Sequence, residues 1–422
     1  MTKKNNKIFQ GYCKNCHHPN TSFDWCQPCN SQRFRNNFYK WTSGNINVDN
    51  IIMKMQTGAK NSREILEWIP WLKFKNVSLI DSGGLGSVYS ANWIDGCIAY
   101  WNEEKKDWGR YESGSTFVIK IFDDSKNMTA SFLNEVFAIH QSNISGLIRY
   151  YGFTKEPNSD NYGIVSEYAG KNLHQHIAAA VESSNKLEIL IDISLTLNKL
   201  HSSGLIHKNI HTRNILKKQN STFIISDFGL CFQANKELGS REYFGVLEYS
   251  APEILLGSQH TKESDIYSFG ILMLEVFAGV IKLPNITPDF LLAKEICYSD
   301  IRPEISSKLP TPIVNLIKRC WDKFPKNRPT SHEISELLSE WWMKILNMND
   351  HTLTKLFQHF PILNIKDNLN NLNTTLLSQK FNSKRLDYCY YLDKIIDQDY
   401  MAVDDFEEDH PPSFMMLEGI EF

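Results

Sequence analysis

Residues 207–214 read His-Lys-Asn-Ile-His-Thr-Arg-Asn, and this stretch decides the fold together with residues 226–229 (SDFG), which follow the apolar run FII. Upstream, residues 117–120 (FVIK) are typical of a short β-strand that ends in Lys120. Fifteen residues later, Glu135 lies in FLNEVFAIHQ, whose apolar spacing is helical. A lone lysine in a strand or a lone glutamate in a helix is usually a surface charge. Their order along this chain indicates one shared site.

A glycine-rich stretch, residues 82–89 (SGGLGSVY), lies between the apolar runs SLI and VYSANW. Gly83, Gly84 and Gly86 lack a Cβ, so backbone N–H groups can come close to phosphates there. On its own the stretch fits a glycine-rich hairpin turn equally well. The strand with Lys120 and the helix with Glu135 favour a nucleotide site.

From about residue 74 to residue 342 the chain resembles the eukaryotic protein kinases, and residues 207–214 are most similar to the tyrosine-kinase-like group. Six separated motifs in the expected order carry the resemblance: residues 82–89, Lys120, Glu135, residues 207–214, residues 226–229 and residues 249–253 (YSAPE). The resemblance implies an α+β fold of two lobes, a β-rich N-lobe and a helical C-lobe.

The resemblance also implies that ATP binds between the lobes. Lys120 and Glu135 would form the ion pair that orients the α- and β-phosphates. Asp227 would hold Mg²⁺ and Asn214 a second ion, and oxygen ligands of this kind suit magnesium. The remaining predicted nucleotide contacts are Gly83, Gly84, Gly86, Val88 and Val118 around the phosphates and adenine, and the backbone of the hinge from Glu167 to Ala169. Glu253 would pair with Arg328, and Asp265 would support the catalytic loop, as structural residues.

Asn209 stands where a kinase of this type carries its catalytic aspartate. An amide oxygen can accept a hydrogen bond but cannot take the substrate proton. General-base catalysis contributes roughly 10²–10⁴-fold, or about 3–5 kcal/mol of barrier. The leading hypothesis is therefore a pseudokinase-type signalling protein that binds Mg-ATP with impaired or absent phosphotransfer. The alternative is a slow but active Ser/Thr/Tyr protein kinase, because phosphoryl transfer depends mostly on positioning and charge neutralisation.

Other residues of the loop do not decide whether serine, threonine or tyrosine hydroxyls would accept the phosphate. His211 replaces a lysine that Ser/Thr kinases usually place there, and as a mostly neutral loop residue it supplies less charge. Arg213 stands where many tyrosine kinases carry an arginine. Lys208 replaces the arginine of the loop and cannot grip a phosphate bidentately.

Cys13 and Cys16, and Cys26 and Cys29, form two Cys-x2-Cys pairs separated by nine residues. Four thiolates placed in this way suit a closed, structural Zn²⁺ site, and a segment this small needs a metal to fold. Free thiols in a disordered leader are the alternative. The head resembles that of zinc-ribbon-headed kinase-like proteins of some fungi, which implies recruitment of an unknown protein partner. A third hypothesis makes this head a binding module for protein or nucleic acid, with nucleic acid unlikely.

The predicted organisation is a zinc-ribbon-like head (1–34), a helical connector (35–73), a kinase domain (74–342) and an Asn-rich, then acidic, mostly disordered tail (343–422). In the connector, NSREILEWI is predicted to be helical up to Pro70, and the insertion at 95–114 to be a long loop. Residues 1–40 carry a net charge of +6 and residues 395–422 a net charge of −9, while the whole chain carries −3. A net charge this small gives no overall electrostatic attraction to nucleic acid or to an anionic membrane. No signal peptide or membrane-spanning segment is expected. Cysteine usage favours the cytoplasm, with the nucleus as an alternative.

Overall fold

The computed structural model describes residues 11–83, 86–126, 128–178, 183–220, 222–227, 242–281, 283, 289–346 and 384–387. The first part of the chain contains helices α1 (Gln27–Arg35), α2 (Ile46–Gly58) and α3 (Ala130–Ser142), and strands β1 (Glu67–Trp68), β2 (Phe74–Gly83), β3 (Gly86–Trp93), β4 (Cys97–Asn102), β5 (Asp107–Tyr111), β6 (Thr116–Phe122), β7 (Tyr150–Lys155) and β8 (Tyr162–Glu167). The second part contains helices α4 (Leu173–Ala178), α5 (Ser183–Ser202), α6 (Pro252–Leu255), α7 (Lys262–Ala278), α8 (Asp289–Tyr298), α9 (Thr311–Cys320) and α10 (Ser331–Leu346), and strands β9 (Ile215–Lys217), β10 (Phe223–Ile225), β11 (Glu242–Gly245) and β12 (Lys384–Asp387). A β-rich lobe therefore precedes a helical one, as predicted.

The N-lobe sheet has six strands in the order β1-β7-β8-β6-β3-β2. All neighbouring pairs are antiparallel except β1 and β7, which are parallel. The predicted strand at 117–120 lies in β6 and the predicted helix around Glu135 is α3. Helix α3 packs its apolar side against the sheet, where Phe132 meets Phe122 edge to face at 5.4 Å. This packing fixes where α3 presents its polar residues.

The segment NSREILEWI (residues 61–69) is not the predicted helix. Residues Ser62–Glu64 form a single 3-10 turn, and Glu67–Trp68 form β1 at the edge of the sheet. The cause is tertiary: Glu67 is buried, accepts a hydrogen bond from Ile98 N at 2.9 Å and pairs with Arg110 at 2.8 Å. These contacts and the pairing with β7 override the helical propensity of the segment.

The insertion at 95–114 is likewise not the predicted long loop. Strands β4 and β5 form an antiparallel hairpin in which Trp101 lies opposite Trp108. A cross-strand aromatic pair of this kind stabilises a two-stranded ribbon. The hairpin also packs on the first helix of the chain, as described below.

The C-lobe is built around α7, which is buried on nearly all sides. Thr261 begins the helix with a capping box, in which Thr261 and Ser264 satisfy each other's backbone N–H groups. Helices α5 and α9 pack against it, and α10 packs on α5 and runs to Leu346, slightly beyond the predicted domain end. No helix in the described part of the chain is long and apolar enough to span a bilayer.

Residues 384–387 of the tail form β12, which pairs antiparallel with β11. Lys384 lies opposite Gly245 and Asp387 opposite Glu242. The tail was predicted to be mostly disordered, and this short strand is an exception to that prediction. The other tail residues, 347–383 and 388–422, lie outside the described residues, so their disorder stays a prediction.

Candidate active site

The register of β2, β3 and β6 places the glycine-rich hairpin above Lys120. Val88 lies opposite Lys120 and Gly83 opposite Gly86. Gly86 has a φ of 132°, and a Cβ there would lie 1.9 Å from the carbonyl oxygen of Ile121, so no other residue fits without moving a strand. Gly84 lies outside the described residues.

Lys120 and Glu135 each form an ion pair with a C-lobe residue, and their partners differ from the prediction. Lys120 Nζ lies 2.9 Å from Asp227 Oδ1, and Lys208 Nζ lies 2.8 Å from Glu135 Oε1. The sequence predicted that Lys120 and Glu135 would pair with each other. In this structure Glu135 instead binds the lysine that replaces the arginine of the catalytic loop, so helix α3 is tied to the C-lobe.

The carboxylate of Asp227 stands where a metal ligand is predicted. Burial disfavours its ionised form, but the adjacent Lys120 ammonium outweighs burial and holds the pKa of Asp227 below its usual value. Asp227 has a φ of 52° and Lys208 a φ of 71°, in the left-handed region that non-glycine residues rarely adopt. Strain of this kind persists at functional sites, where surrounding contacts hold the chain in place.

Asp265 at the start of α7 anchors the catalytic loop, as predicted. Its carboxylate accepts hydrogen bonds from the backbone N–H of His207 at 2.7 Å and of Lys208 at 2.9 Å. The ring of His201 binds the same carboxylate at 3.0 Å. Hydrogen bonds to an ionised acceptor are stronger than neutral ones, and they lower the pKa of Asp265 although burial raises it.

The predicted pair of Glu253 with Arg328 is also present. The two side chains form a bidentate ion pair with N–O distances of 2.5 and 2.8 Å, and the Arg328 side chain is fully buried. The pair fixes the end of the activation segment against the C-lobe.

Asn209 is held by its backbone on both sides. Its N–H donates to His207 Nδ1 at 3.2 Å, and its carbonyl oxygen accepts from Asn214 Nδ2 at 2.9 Å. Because Nδ1 of His207 is an acceptor, Nε2 carries the proton and donates to the carbonyl oxygen of Ser226 at 3.0 Å. Burial lowers the pKa of His207 to about 4, which keeps the ring neutral and this arrangement intact near pH 7. The loop therefore positions residue 209 although its aspartate is missing.

His211 is buried and neutral. It is 4% exposed, burial lowers its pKa to about 3, and within the described part of the chain its Nε2 has no hydrogen-bond partner. It therefore supplies no positive charge to a phosphate at neutral pH, in agreement with the prediction of a neutral residue.

A buried polar network below His211 was missed by the sequence reasoning. Glu275 of α7 accepts hydrogen bonds from Thr212 Oγ1 at 2.9 Å and from the Tyr249 hydroxyl, and it contacts His174 Nδ1 at 2.8 Å. The network joins the catalytic loop to the end of the activation segment. The sequence feature that could have indicated this network is Glu275, the single charged residue in the apolar stretch 269–281.

The hinge begins where β8 ends. Ser166 lies opposite Val118 on β6, and Ala169 is buried. The backbone N–H of Glu167 donates to Arg149 O at 2.9 Å, and its carboxylate binds Lys218 Nζ at 2.5 Å. The side chain of Glu167 therefore joins the hinge to the C-lobe, and recognition of a base by the backbone from Glu167 to Ala169 stays a prediction.

The four cysteines of the head lie together. Their sulfur atoms are all within 4.8 Å of one another, with 3.8 Å between Cys13 and Cys29 and 3.4 Å between Cys16 and Cys26. A tetrahedron with metal–sulfur bonds of about 2.3 Å has sulfur–sulfur edges of about 3.8 Å. The backbone N–H of Asn15 points at Cys13 Sγ at 3.4 Å. The donor set and its spacing fit zinc.

Comparison with known proteins places these features in a family. The family described as protein tyrosine and serine/threonine kinase matches residues 74–338, more than half of the chain. A probable serine/threonine-protein kinase of Dictyostelium discoideum is 30% identical over 236 residues, which are 53% of this chain and 14% of that protein. Serine/threonine-protein kinase CTR1 of Arabidopsis thaliana is 26% identical over 282 residues, 64% of this chain and 32% of the relative. Serine/threonine/tyrosine-protein kinase HT1 of the same plant is 26% identical over 215 residues, 50% of this chain and 54% of the relative.

The chain covers less than two thirds of each of these relatives. The matched family range contains the glycine-rich hairpin, the ion pairs of Lys120 and Glu135 and the anchored catalytic loop, whereas the cysteine cluster lies before it. The chain belongs to the protein tyrosine and serine/threonine kinase family.

Proposed function

We propose that the kinase domain binds Mg-ATP and transfers its γ-phosphate to protein hydroxyls slowly or not at all. The observation that carries the proposal is Asn209 in a catalytic loop whose supports are otherwise complete. Asp265 anchors the loop, Asn214 holds the carbonyl oxygen of residue 209, and Asp227 is ionised beside Lys120.

The residues present fit the magnesium nucleotide expected for this family. Asp227 and Asn214 offer the oxygen ligands, and the Asn214 amide lies 3.5 Å from the Asp227 carbonyl oxygen, so the two residues are neighbours. Lys120 is a cation near them that is suited to phosphate oxygens. Because Lys120 now neutralises Asp227, nucleotide binding would exchange this ion pair for contacts with metal and phosphate.

The limit on catalysis lies in one functional group. Mg-ATP supplies the phosphoryl group and neutralises its charge, while the chain must orient the acceptor hydroxyl and receive its proton. The amide oxygen of Asn209 can accept a hydrogen bond from that hydroxyl but does not become protonated. We therefore expect positioning to survive and the general-base contribution, roughly 10²–10⁴-fold, to be lost.

Binding is tested by isothermal titration of Mg-ATP into the full chain. The parent should bind, whereas Lys120→Met and Asp227→Asn should bind at least tenfold more weakly, because each removes a charge facing phosphate or metal. Lys155→Met is the matched control, since it removes an ion pair with Asp160 at the surface and a contact with the Tyr162 ring. No heat of binding from a folded parent would refute the ATP part of the proposal.

The alternative is a slow but active protein kinase that relies on positioning alone. The intact backbone contacts of Asn209 favour it over a complete loss of activity. The two functions differ only in the rate of phosphate transfer, which is measured with labelled ATP and the purified full chain. The names of the relatives favour serine and threonine as acceptors, but one includes tyrosine, so the hydroxyl class is left open.

We also propose that Cys13, Cys16, Cys26 and Cys29 bind one structural zinc ion. Their sulfur spacing and the small size of the head support this. Metal analysis of the purified full chain should give one zinc per molecule, and Cys26→Ser should lose it while Cys97→Ser, a buried cysteine outside the cluster, keeps it. The hypothesis of a head that binds nucleic acid stays a prediction: Trp25 is 1% exposed and offers no surface to a base, whereas Phe23 is 80% exposed.

A further inference from the structure

We propose that the four-cysteine site acts within the chain: zinc fixes α1 on the β4–β5 hairpin and on α2, and this unit holds α3 and its Glu135 in place. The inference rests on the zinc part of the proposed function and adds a role for the metal. Besides the predicted recruitment of another protein, the head would then have a partner within the chain, namely helix α3 beside the nucleotide site. Four contacts carry it.

The first contact joins the cysteine cluster to α1. Cys26 is the residue that precedes α1, and Cys29 lies in the first turn of that helix. Two of the four metal ligands therefore fix the start of α1. No side chain caps this end of the helix, so a metal bound by these two cysteines would stabilise an otherwise uncapped helix start.

The second contact is aromatic and joins α1 to the hairpin. Trp108 of β5 stacks on Phe34 with ring centroids 4.3 Å apart and on Trp25 at 5.8 Å. The Arg33 guanidinium lies 4.5 Å from the ring centre of Trp101 and pairs with Glu103 in the hairpin turn. Stacked aromatics and a cation over a tryptophan are each favourable beyond the area that they bury.

The third contact joins the head to the end of α2. Three head side chains donate to backbone carbonyl oxygens in the last turn of α2 and just beyond it, where helix carbonyls lack partners within the helix. The bonds are Thr21 Oγ1 to Lys60 O at 2.7 Å, Trp25 Nε1 to Ala59 O at 2.9 Å and Gln27 Nε2 to Thr57 O at 2.8 Å. Since these donors flank Cys26, their positions depend on the folded head.

The fourth contact joins α2 to α3. Val48, Ile52 and Met55 of α2 belong to the same buried cluster as Phe132 and Val136 of α3. Lys54 Nζ lies 4.1 Å from the ring centre of Phe137, and Asn47 donates to Met128 O at 3.2 Å, just before α3 begins. Glu135 lies on this helix and reaches Lys208 of the catalytic loop. Loss of metal at one end of this series would therefore loosen the helix at the other end.

The test is hydrogen–deuterium exchange of the full chain before and after zinc is removed with a high-affinity chelator. Zinc removal should speed exchange of the α3 amides by about tenfold, while those of α7 stay unchanged and show that the C-lobe is still folded. Trp108→Ala should give the same pattern in α3 with zinc still bound, because it removes the ring that packs on Trp25, the residue that bonds to Ala59 O, without touching a ligand. Tyr39→Ala is the matched control, since Tyr39 is 82% exposed in the same region, and it should change nothing.

Two results would overturn the inference. Faster exchange confined to residues 11–35, with α3 unchanged, would leave the zinc site standing but remove its role in holding α3. Absence of zinc from the purified chain by metal analysis would remove the site itself. Arg33→Met provides a milder second variant if Trp108→Ala does not fold, and it should speed α3 exchange in the same direction.

Discussion

The ion pair between Glu135 and Lys208 makes a specific prediction about nucleotide affinity. Lys208→Met removes the ammonium and keeps an apolar stem of similar length, while the backbone N–H that binds Asp265 is unaffected. Glu135 is then free to attract Lys120, which draws Lys120 away from Asp227. An Asp227 carboxylate without an ion-pair partner binds magnesium more tightly than one that is paired with Lys120. We therefore expect Lys208→Met to bind Mg-ATP more tightly than the parent.

The size of the effect follows from the geometry. At 2.8 Å and an effective dielectric constant of about 20, the Coulomb attraction is about 6 kcal/mol. The two side chains are 27% and 30% exposed, and desolvation and side-chain entropy cancel most of that attraction, which leaves about 1 kcal/mol net. This value corresponds to about fivefold in affinity.

The assay is isothermal titration of Mg-ATP into the parent, Lys208→Met and the double variant Lys208→Met/Glu135→Gln. The gain should appear in the single variant and vanish in the double variant, because Glu135→Gln no longer attracts Lys120. Lys155→Met serves again as the surface control. Unchanged or weaker binding by Lys208→Met would refute the reasoning that this pair competes with the nucleotide site.

Three further predictions concern stability. Burial lowers the pKa of His207 to about 4 and that of His211 to about 3, against about 6.5 in the unfolded chain. The free energy of unfolding should therefore fall by about 2 kcal/mol per histidine between pH 7 and pH 5, and a flat urea-unfolding profile over this range would contradict the prediction. Asp265→Asn should lower the free energy of unfolding in urea by about 3 kcal/mol, because it weakens the charge-assisted hydrogen bonds to the catalytic loop. The surface control Asp160→Asn should lower it by less than about 0.5 kcal/mol, and equal losses would argue against the anchoring role of Asp265. Gly86→Ala should lower the melting temperature by several degrees, because the added Cβ would collide with the carbonyl oxygen of Ile121. Gly58→Ala has open space around the added Cβ and should be neutral or stabilising, and the reverse order would show that the close approach of the strands at Gly86 does not exclude a side chain.

The kinase motifs were predictable because each one is local. A glycine-rich turn and a lysine in a strand follow from short local patterns, and the structure agrees with both. The pairing of Glu253 with Arg328, 75 residues apart, was implied only by the family resemblance, and the structure also contains it. The partner of Glu135 was not predictable in this way. Which of two lysines it binds depends on where α3 lies, and that position is set by contacts with α2, far away in sequence.

The head and the insertion show the same limit. Residues 61–69 have helical spacing, yet Glu67 is drawn into a strand by Ile98 and Arg110. Trp101 and Trp108 were recognised in the insertion, but their role needs Phe34 and Arg33 opposite them. The cysteine pattern predicted a shared metal site, whereas the surface on which that site packs became visible only in three dimensions.

The central claim is tested most directly by phosphate transfer from labelled ATP by the purified full chain, with Asn209→Asp and Asp227→Asn measured beside it. We predict that Asn209→Asp transfers phosphate about 10²-fold faster than the parent or more, and that Asp227→Asn transfers none. A parent that transfers phosphate as fast as Asn209→Asp, with the activity lost in Asp227→Asn, would contradict the account and establish a working kinase.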